Sequence, residues 1–205
     1  MKRLVIAAHV DDDVIGCGGM LDSYTTVFYC GVDDFHVVSA EDRRREAQAV
    51  SEVTGHKYIW PDAHKSYIGP VNHYDFTAVK DHLEDVIKEL APSEVYLPWP
   101  SYNRDHQTVY EAAMVALRPH DRNPLVPRVL LYEEPDCWWP MLGQPFVPNF
   151  YRRIDAARKI KLYRMMESQV RGHRSPLHLF ALSQVRGAAI GTDYAEAYHV
   201  LRWVE

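Results

Sequence analysis

The sequence predicts an α/β protein: a doubly wound, mainly parallel sheet with helices on both faces. Two observations predict it. The continuous apolar run Leu4-Val5-Ile6-Ala7-Ala8 stops at the polar cluster His9 to Asp13, the mark of a strand buried on both faces. Short runs of this kind then alternate with helical patterns at βαβ spacing, and the crossovers this needs lay helices over both faces of the sheet.

Element by element, the first strand leads into a helix expected from Asp13 to Phe28, with Gly16, Gly18 and Gly19 inside it, and then a second strand from Phe35 to Ser39. Arg43 to Thr54 reads as a helix with Ala47, Val50 and Val53 on one side and Gly55 as its stop, followed by a third strand, Lys57 to Trp60. Phe76, Val79, Leu83, Val86, Ile87 and Leu90 form the clearest helical stripe. Ala91-Pro92 ends it, and a fourth strand, Glu94 to Leu97, follows. Asp105 to Leu117 is then a helix and Val129 to Glu133 a strand set in the proline-rich loop from Arg118 to Asn149. Arg152 to Val170 is helical by pattern, and the tail is mixed. No repeat or low-complexity segment interrupts the chain, so residues 1–205 are expected to form a single domain.

Composition narrows the function. An apolar content of 47% with 25% charged residues excludes disorder. The net charge is −5, and no basic tract exceeds Arg43-Arg44-Arg45, so a groove for nucleic acid lacks electrostatic support. No run is long enough for a membrane span, and the apolar stretch near Met1 is too short for a signal sequence, so a cytoplasmic location is expected. Cys17, Cys30 and Cys137 have no C-x-x-C spacing, which leaves nitrogen and oxygen donors for any metal.

In an open α/β sheet, ligands bind beyond the carboxyl ends of the strands, where helices begin with their positive ends toward the crevice. Two polar clusters hold such positions. His9-Val10-Asp11-Asp12-Asp13 follows the first strand, and Asn103-Arg104-Asp105-His106 follows the fourth. Each has a His with carboxylates within three residues, a donor set suited to a borderline divalent cation, zinc first. His9 and Asp12 can face one ion, His106 can complete the set, and Asp11 is left beside it to take a proton. Three protein ligands leave a fourth position for water, as in a catalytic zinc site. Other readings stand beside this one. Acidic residues before a helix often only cap it. The other nine histidines have no second ligand at metal spacing and read as surface residues. Gly16-Cys17-Gly18-Gly19 does not meet the dinucleotide order, and Cys17 has no positioned base, so packing is its expected role.

Taken together, Ala8-His9-Val10-Asp11-Asp12-Asp13 and Gly16-x-Gly18-Gly19 resemble the A-H-P-D-D-E…G-x-G-G signature of the zinc-dependent N-acetyl-sugar deacetylases, the PIG-L or LmbE-like family. Arg43-x-x-Glu46 is similar to its R-x-x-E segment, Asn103-x-Asp105-His106 to its H-x-D-H, Ser168-Gln169 to its late S-Q, and Arg186-Gly187…Tyr198 to its closing R-G…A-E-A-F. The segments Pro148 to Asp155 and Met165 to Pro176 resemble the family branch with N-x-D-H.

The resemblance implies a Rossmann-like sheet, one zinc ion per chain on His9, Asp12 and His106, and hydrolysis of the acetamide of an amino sugar or its glycoconjugate. It implies Asp11 as general base. Val10 stands for the family Pro and Asp13 for its Glu. Asn103 stands where many members have His; its amide can donate to an oxyanion but supplies no proton, which leaves Asp11 as the source of the proton for the leaving amine. Arg43 is expected to meet a substrate hydroxyl or phosphate, fixed by Glu46, and Asp105 to orient the His106 ring or another group of the site. Trp138 and Trp139 suit either a sugar platform or packing. The competing functions are a zinc amidase for a non-sugar acyl amide and an inactive sugar-nucleotide binding module. Homo-oligomerisation is left open.

Overall fold

The computed structural model describes residues 2–32, 38–60, 70–120, 123–138 and 145–205. Along the chain come β1 (Arg3–Ala7), α1 (Asp12–Cys17), β2 (Thr25–Tyr29), α2 (Ala40–Thr54), β3 (Lys57–Ile59), α3 (Phe76–Leu90) and β4 (Glu94–Pro98). There follow α4 (Arg104–Ala116), β5 (Arg128–Tyr132), β6 (Phe150–Arg153), α5 (Ala156–Arg164), α6 (Pro176–Ala188) and β7 (Ala195–Trp203). The strands form one sheet in the order β3-β2-β1-β4-β5-β7-β6. Strands β1 to β5 pair in parallel, and β7 runs antiparallel between β5 and β6.

β1 lies next to both β2 and β4, as its apolar run predicts, and its side chains alternate between two cores. Leu4 and Ile6 join Leu83 and Ile87 of α3 and Val109 and Ala112 of α4 on one face. Val5 and Ala7 join Val14 of α1, Val50 of α2 and Ile160 of α5 on the other. The α3 stripe buries Val79, Leu83, Val86 and Ile87, and Asp75 caps that helix by accepting from the Ala78 N–H at 3.0 Å. Gly55 ends α2 in the left-handed conformation, at φ 78.

Three sequence expectations shift. The long helix from Asp13 to Phe28 is instead α1, a turn, and β2, because Thr25 to Tyr29 is a β-branched and aromatic run that pairs with β1 in full register. Its glycines serve close packing: a Cβ on Gly16 would overlap the Tyr132 ring, and one on Gly19 the Ile154 side chain. The second strand is therefore β2; the run expected from Phe35 lies largely outside the described residues. Arg152 to Val170 opens as strand β6, and the helix starts only after Asp155, whose side chain accepts from the Arg158 N–H at 3.0 Å. His56, expected at the surface, is buried at 2%, with Nδ1 against Thr54 Oγ1. Among the described residues no helix is long and apolar enough to cross a membrane.

Candidate active site at the carboxyl ends of β1 and β4

β1 and β4 are neighbours, so the turns leaving them converge. After β1 the chain makes a tight turn in which the His9 N–H donates to Asp12 Oδ2 at 2.9 Å. After β4, Asn103 caps α4 by accepting from the Asp105 N–H at 2.9 Å, which puts Asp105 and His106 in the first helical turn.

His106 Nε2 lies 3.2 Å from His9 Nδ1, and Asp12 Oδ1 lies 3.6 Å from each of these two nitrogens. A tetrahedral zinc with ligands at about 2.0–2.1 Å has ligand edges of about 3.3 Å, so this triangle fits one ion with little movement. The ring orientations are set from behind. His9 Nε2 is 3.0 Å from Asp105 Oδ2, which places the proton on Nε2 and leaves the Nδ1 lone pair for the site. Asp105 Oδ1 accepts from the Asn72 N–H at 2.7 Å. On His106, Nδ1 faces Ser101 Oγ at 3.5 Å, leaving Nε2 inward.

The electrostatics follow from burial and neighbours. Burial alone would raise the Asp12 carboxyl, but the His106 and His9 imidazoles outweigh it and hold it well below the ordinary value. Asp105 behaves similarly: burial raises it, while hydrogen bonds from His9 and the Asn72 N–H bring it below the ordinary value. Burial pushes Asp13 up to about 7, with the neighbouring Tyr29 hydroxyl working against the rise and the nearby Asp11 and Asp12 adding to it. Asp11 is 1% exposed and its Oδ2 is 2.7 Å from Arg174 Nη1.

A pocket of about 270 Å³ opens onto these groups. His9, Asp11, Asp12, Asn103, His106 and the buried Arg43 all line it. Asp105 stands behind His9 rather than His106. Glu46, expected beside Arg43, accepts from the Ser168 N–H at 2.8 Å and from Ser168 Oγ at 2.5 Å. The Trp139 platform lies outside the described residues, and the Trp138 side chain with it.

Sequence reasoning did not assign Tyr102, Glu134, Gln169, Arg171, His173 and Arg174, which also line the pocket. Glu134 could have been found, because it follows β5 and the rule that ligands gather at carboxyl ends applies there too. His173, expected at the surface like the other histidines, is exposed, yet it lines the pocket. Arg171 to Arg174 come from a turn some 160 residues after His9, held by a bridge between Arg171 and Arg174, and the resemblance of Met165 to Pro176 to the family branch is the signal that could have tied them to the site.

Comparison with known proteins gives consistent results. The family model for PIG-L, described as GlcNAc-PI de-N-acetylase, matches residues 4–117. The Escherichia coli (strain K12) protein called uncharacterized deacetylase YaiS is 28% identical over 156 residues, covering 70% of this chain and 79% of that protein. Among solved structures, N,N'-diacetylchitobiose deacetylase from Pyrococcus horikoshii aligns with a TM-score of 0.75 at 19% identity, covering 98% of this chain and 84% of the other. GalB, the 4-carboxy-2-hydroxymuconate hydratase of Pseudomonas putida, also aligns at 0.75 and 19% identity, covering 100% of this chain and 99% of the other. A deacetylase and a hydratase thus share the fold, so the architecture does not choose the reaction. The family match extends over more than half of the sequence and spans every residue from His9 to His106 named above, and the chain accordingly belongs to the PIG-L family.

Proposed function

We propose that this protein is a zinc-dependent N-deacetylase that removes the acetyl group from an N-acetylated amino sugar or its glycoconjugate, with one zinc ion per chain on His9, Asp12 and His106. One observation carries the reading: three ligand atoms of two imidazoles and a carboxylate meet within a single ion's reach at the floor of a polar pocket. The donor set is the nitrogen and oxygen mix zinc accepts, and among the described residues no fourth ligand joins the three. Zinc bound there supplies Lewis acidity and makes a water acidic enough to ionise near neutral pH.

The chain's own residues do the rest. Asp11, beside the ligands but not among them, accepts the proton from the attacking water and returns it to the leaving amine. Asn103 has its Oδ1 occupied by the Asp105 N–H, so its Nδ2 is the group available to donate to the acyl oxygen as charge builds there. Arg43 and Tyr102 offer donors for sugar hydroxyls around the acetamide. The polar character of the lining favours a sugar over a non-sugar acyl amide.

The test is acetate release by the zinc-loaded protein from a panel of N-acetylated sugars, sugar conjugates and non-sugar amides, with metal content measured alongside. We expect one zinc per chain and turnover confined to amino sugars. Turnover of only non-sugar amides would make the protein a different zinc amidase, and protein that holds no divalent ion and releases no acetate would be a binding module.

A further inference from the structure

Asp11, Asp12 and Asp13 are consecutive, and all three carboxylates are buried. Like charges this close in a low-dielectric setting oppose one another, so each needs its own means of compensation. Asp12 faces the imidazoles of His9 and His106. Asp13 lies beside Tyr29, with its carboxyl pushed up. Asp11 meets a guanidinium: Arg174 Nη1 at 2.7 Å, from a side chain only 16% exposed.

We propose that Arg174 is the positioning residue for Asp11, compensating its charge and holding one carboxylate oxygen so that the other faces the pocket for proton transfer. This rests on the deacetylase reading above and assigns a role outside the residues matched by the family model. The arm that carries Arg174 is anchored for the purpose. Arg174 Nη2 donates to Gln169 Oε1 at 3.1 Å, and Gln169 Nε2 donates to Ser168 Oγ at 2.7 Å. Ser168 donates in turn to Glu46 of α2, through its N–H and its hydroxyl. The Tyr163 hydroxyl, meanwhile, bonds the Arg174 carbonyl at 2.8 Å. A continuous polar chain therefore runs from α2 through the late Ser168-Gln169 pair to Asp11, and it explains why three segments distant in sequence belong to one site. The guanidinium sits in ion-pair contact with Asp11 through Nη1 while its Nη2 is fixed on Gln169, a two-point placement that a lysine ammonium does not reproduce.

The experiment uses Arg174→Ala, Arg174→Lys, Asp11→Asn and the double variant Asp11→Asn/Arg174→Ala. With zinc loaded, Arg174→Ala should keep its metal and its KM while kcat falls about 10²-fold, the scale of a misplaced catalytic group, and low-millimolar guanidinium should return about tenfold of that loss where equal sodium chloride does not. Arg174→Lys should recover little, since it restores charge without the fork. In metal-free protein, thermal unfolding should show the Arg174→Ala loss shrinking once Asp11 is already Asn, and guanidinium should stabilise Arg174→Ala but not the double variant. A kcat near wild type in Arg174→Ala, or strictly additive losses in the metal-free cycle, or no guanidinium effect in either measurement, would overturn the assignment. Should Arg174→Ala not fold, Arg174→Gln takes its place in every comparison. If the wild-type protein releases no acetate from any substrate, the deacetylase reading fails by itself, while the metal-free cycle still decides whether Arg174 and Asp11 are coupled.

Discussion

The two ends of β1 and β4 both bury acidic side chains, and they treat them in opposite ways. At the amino ends, Glu94 is held by Arg128 at 3.0 Å, Arg3 at 3.7 Å and Arg152 at 3.9 Å, and it accepts from the Tyr96 hydroxyl at 2.9 Å. Every oxygen there has a cation or a donor. At the carboxyl ends, Asp11, Asp12, Asp13 and Asp105 gather with Arg174 as the guanidinium paired to Asp11, and two imidazoles are aimed with Asp12 at one point. Burial of charge is therefore no mark of function by itself. What separates the ends is convergence of donor atoms on a space that the protein does not fill.

The largest effect should come from breaking that convergence. His106→Ala should release the metal and bring acetate production to background, while the fold persists because the α4 face around it remains packed; stoichiometric zinc in the purified variant would show that His106 is not a ligand. Asp11→Asn should keep the zinc and lower kcat by about 10²–10⁴-fold, the usual worth of a general base. A rate near wild type would move the base elsewhere.

Asp13 tests whether its acid really lacks a compensating cation. Its folded-state pKa of about 7 lies above the ordinary 3.8, so the folded protein keeps a proton that the unfolded chain has already lost between those pH values. Stability of the metal-free protein should thus fall with rising pH across that window by up to roughly 4 kcal/mol, and Asp13→Asn should remove the fall. Denaturant titrations at several pH values check this, and parallel profiles for the two proteins would make Asp13 a compensated charge like Glu94. At the other end, Glu94→Gln should cost about 2–3 kcal/mol, less than a fully buried pair because its arginines are partly in water, and should leave zinc content unchanged. Loss of metal in that variant would erase the contrast between the two ends. The smallest effect is expected for Asp105→Asn, which should weaken zinc affinity about 10- to 100-fold through the His9 ring, measured by competition with a chelator.

Much of this was readable in advance where one local pattern has one cause. The β1 run, the α3 stripe and the His-Asp clusters at strand ends were legible because apolar periodicity and strand-end placement act over a few residues. β2 was less legible: Gly16, Gly18, Gly19 and the β-branched and aromatic run Thr25 to Tyr29 both argue against a helix to Phe28, but what the glycines are needed for, contact with Tyr132 and Ile154, exists only in three dimensions. The same limit hid the partners of Glu46 and Asp105. Arg43 is the neighbour of Glu46 in sequence, but Ser168 is the group that reaches it. His106 is the neighbour of Asp105, and His9 is the ring it holds.

The antiparallel β7 has a consequence for how the molecule comes together. Most of the parallel pairings join segments that follow one another closely, with β1 to β4 the exception, and β7 likewise returns from far along the chain to slot between β5 and β6. Docking β7 against β5 closes one of the two longest loops in the sheet, and it belongs to the slow end of assembly. Until it occurs, β5 keeps an open edge and β6 has no neighbour at all, which makes that side of the sheet the place where a refolding chain is most exposed to pairing with another copy.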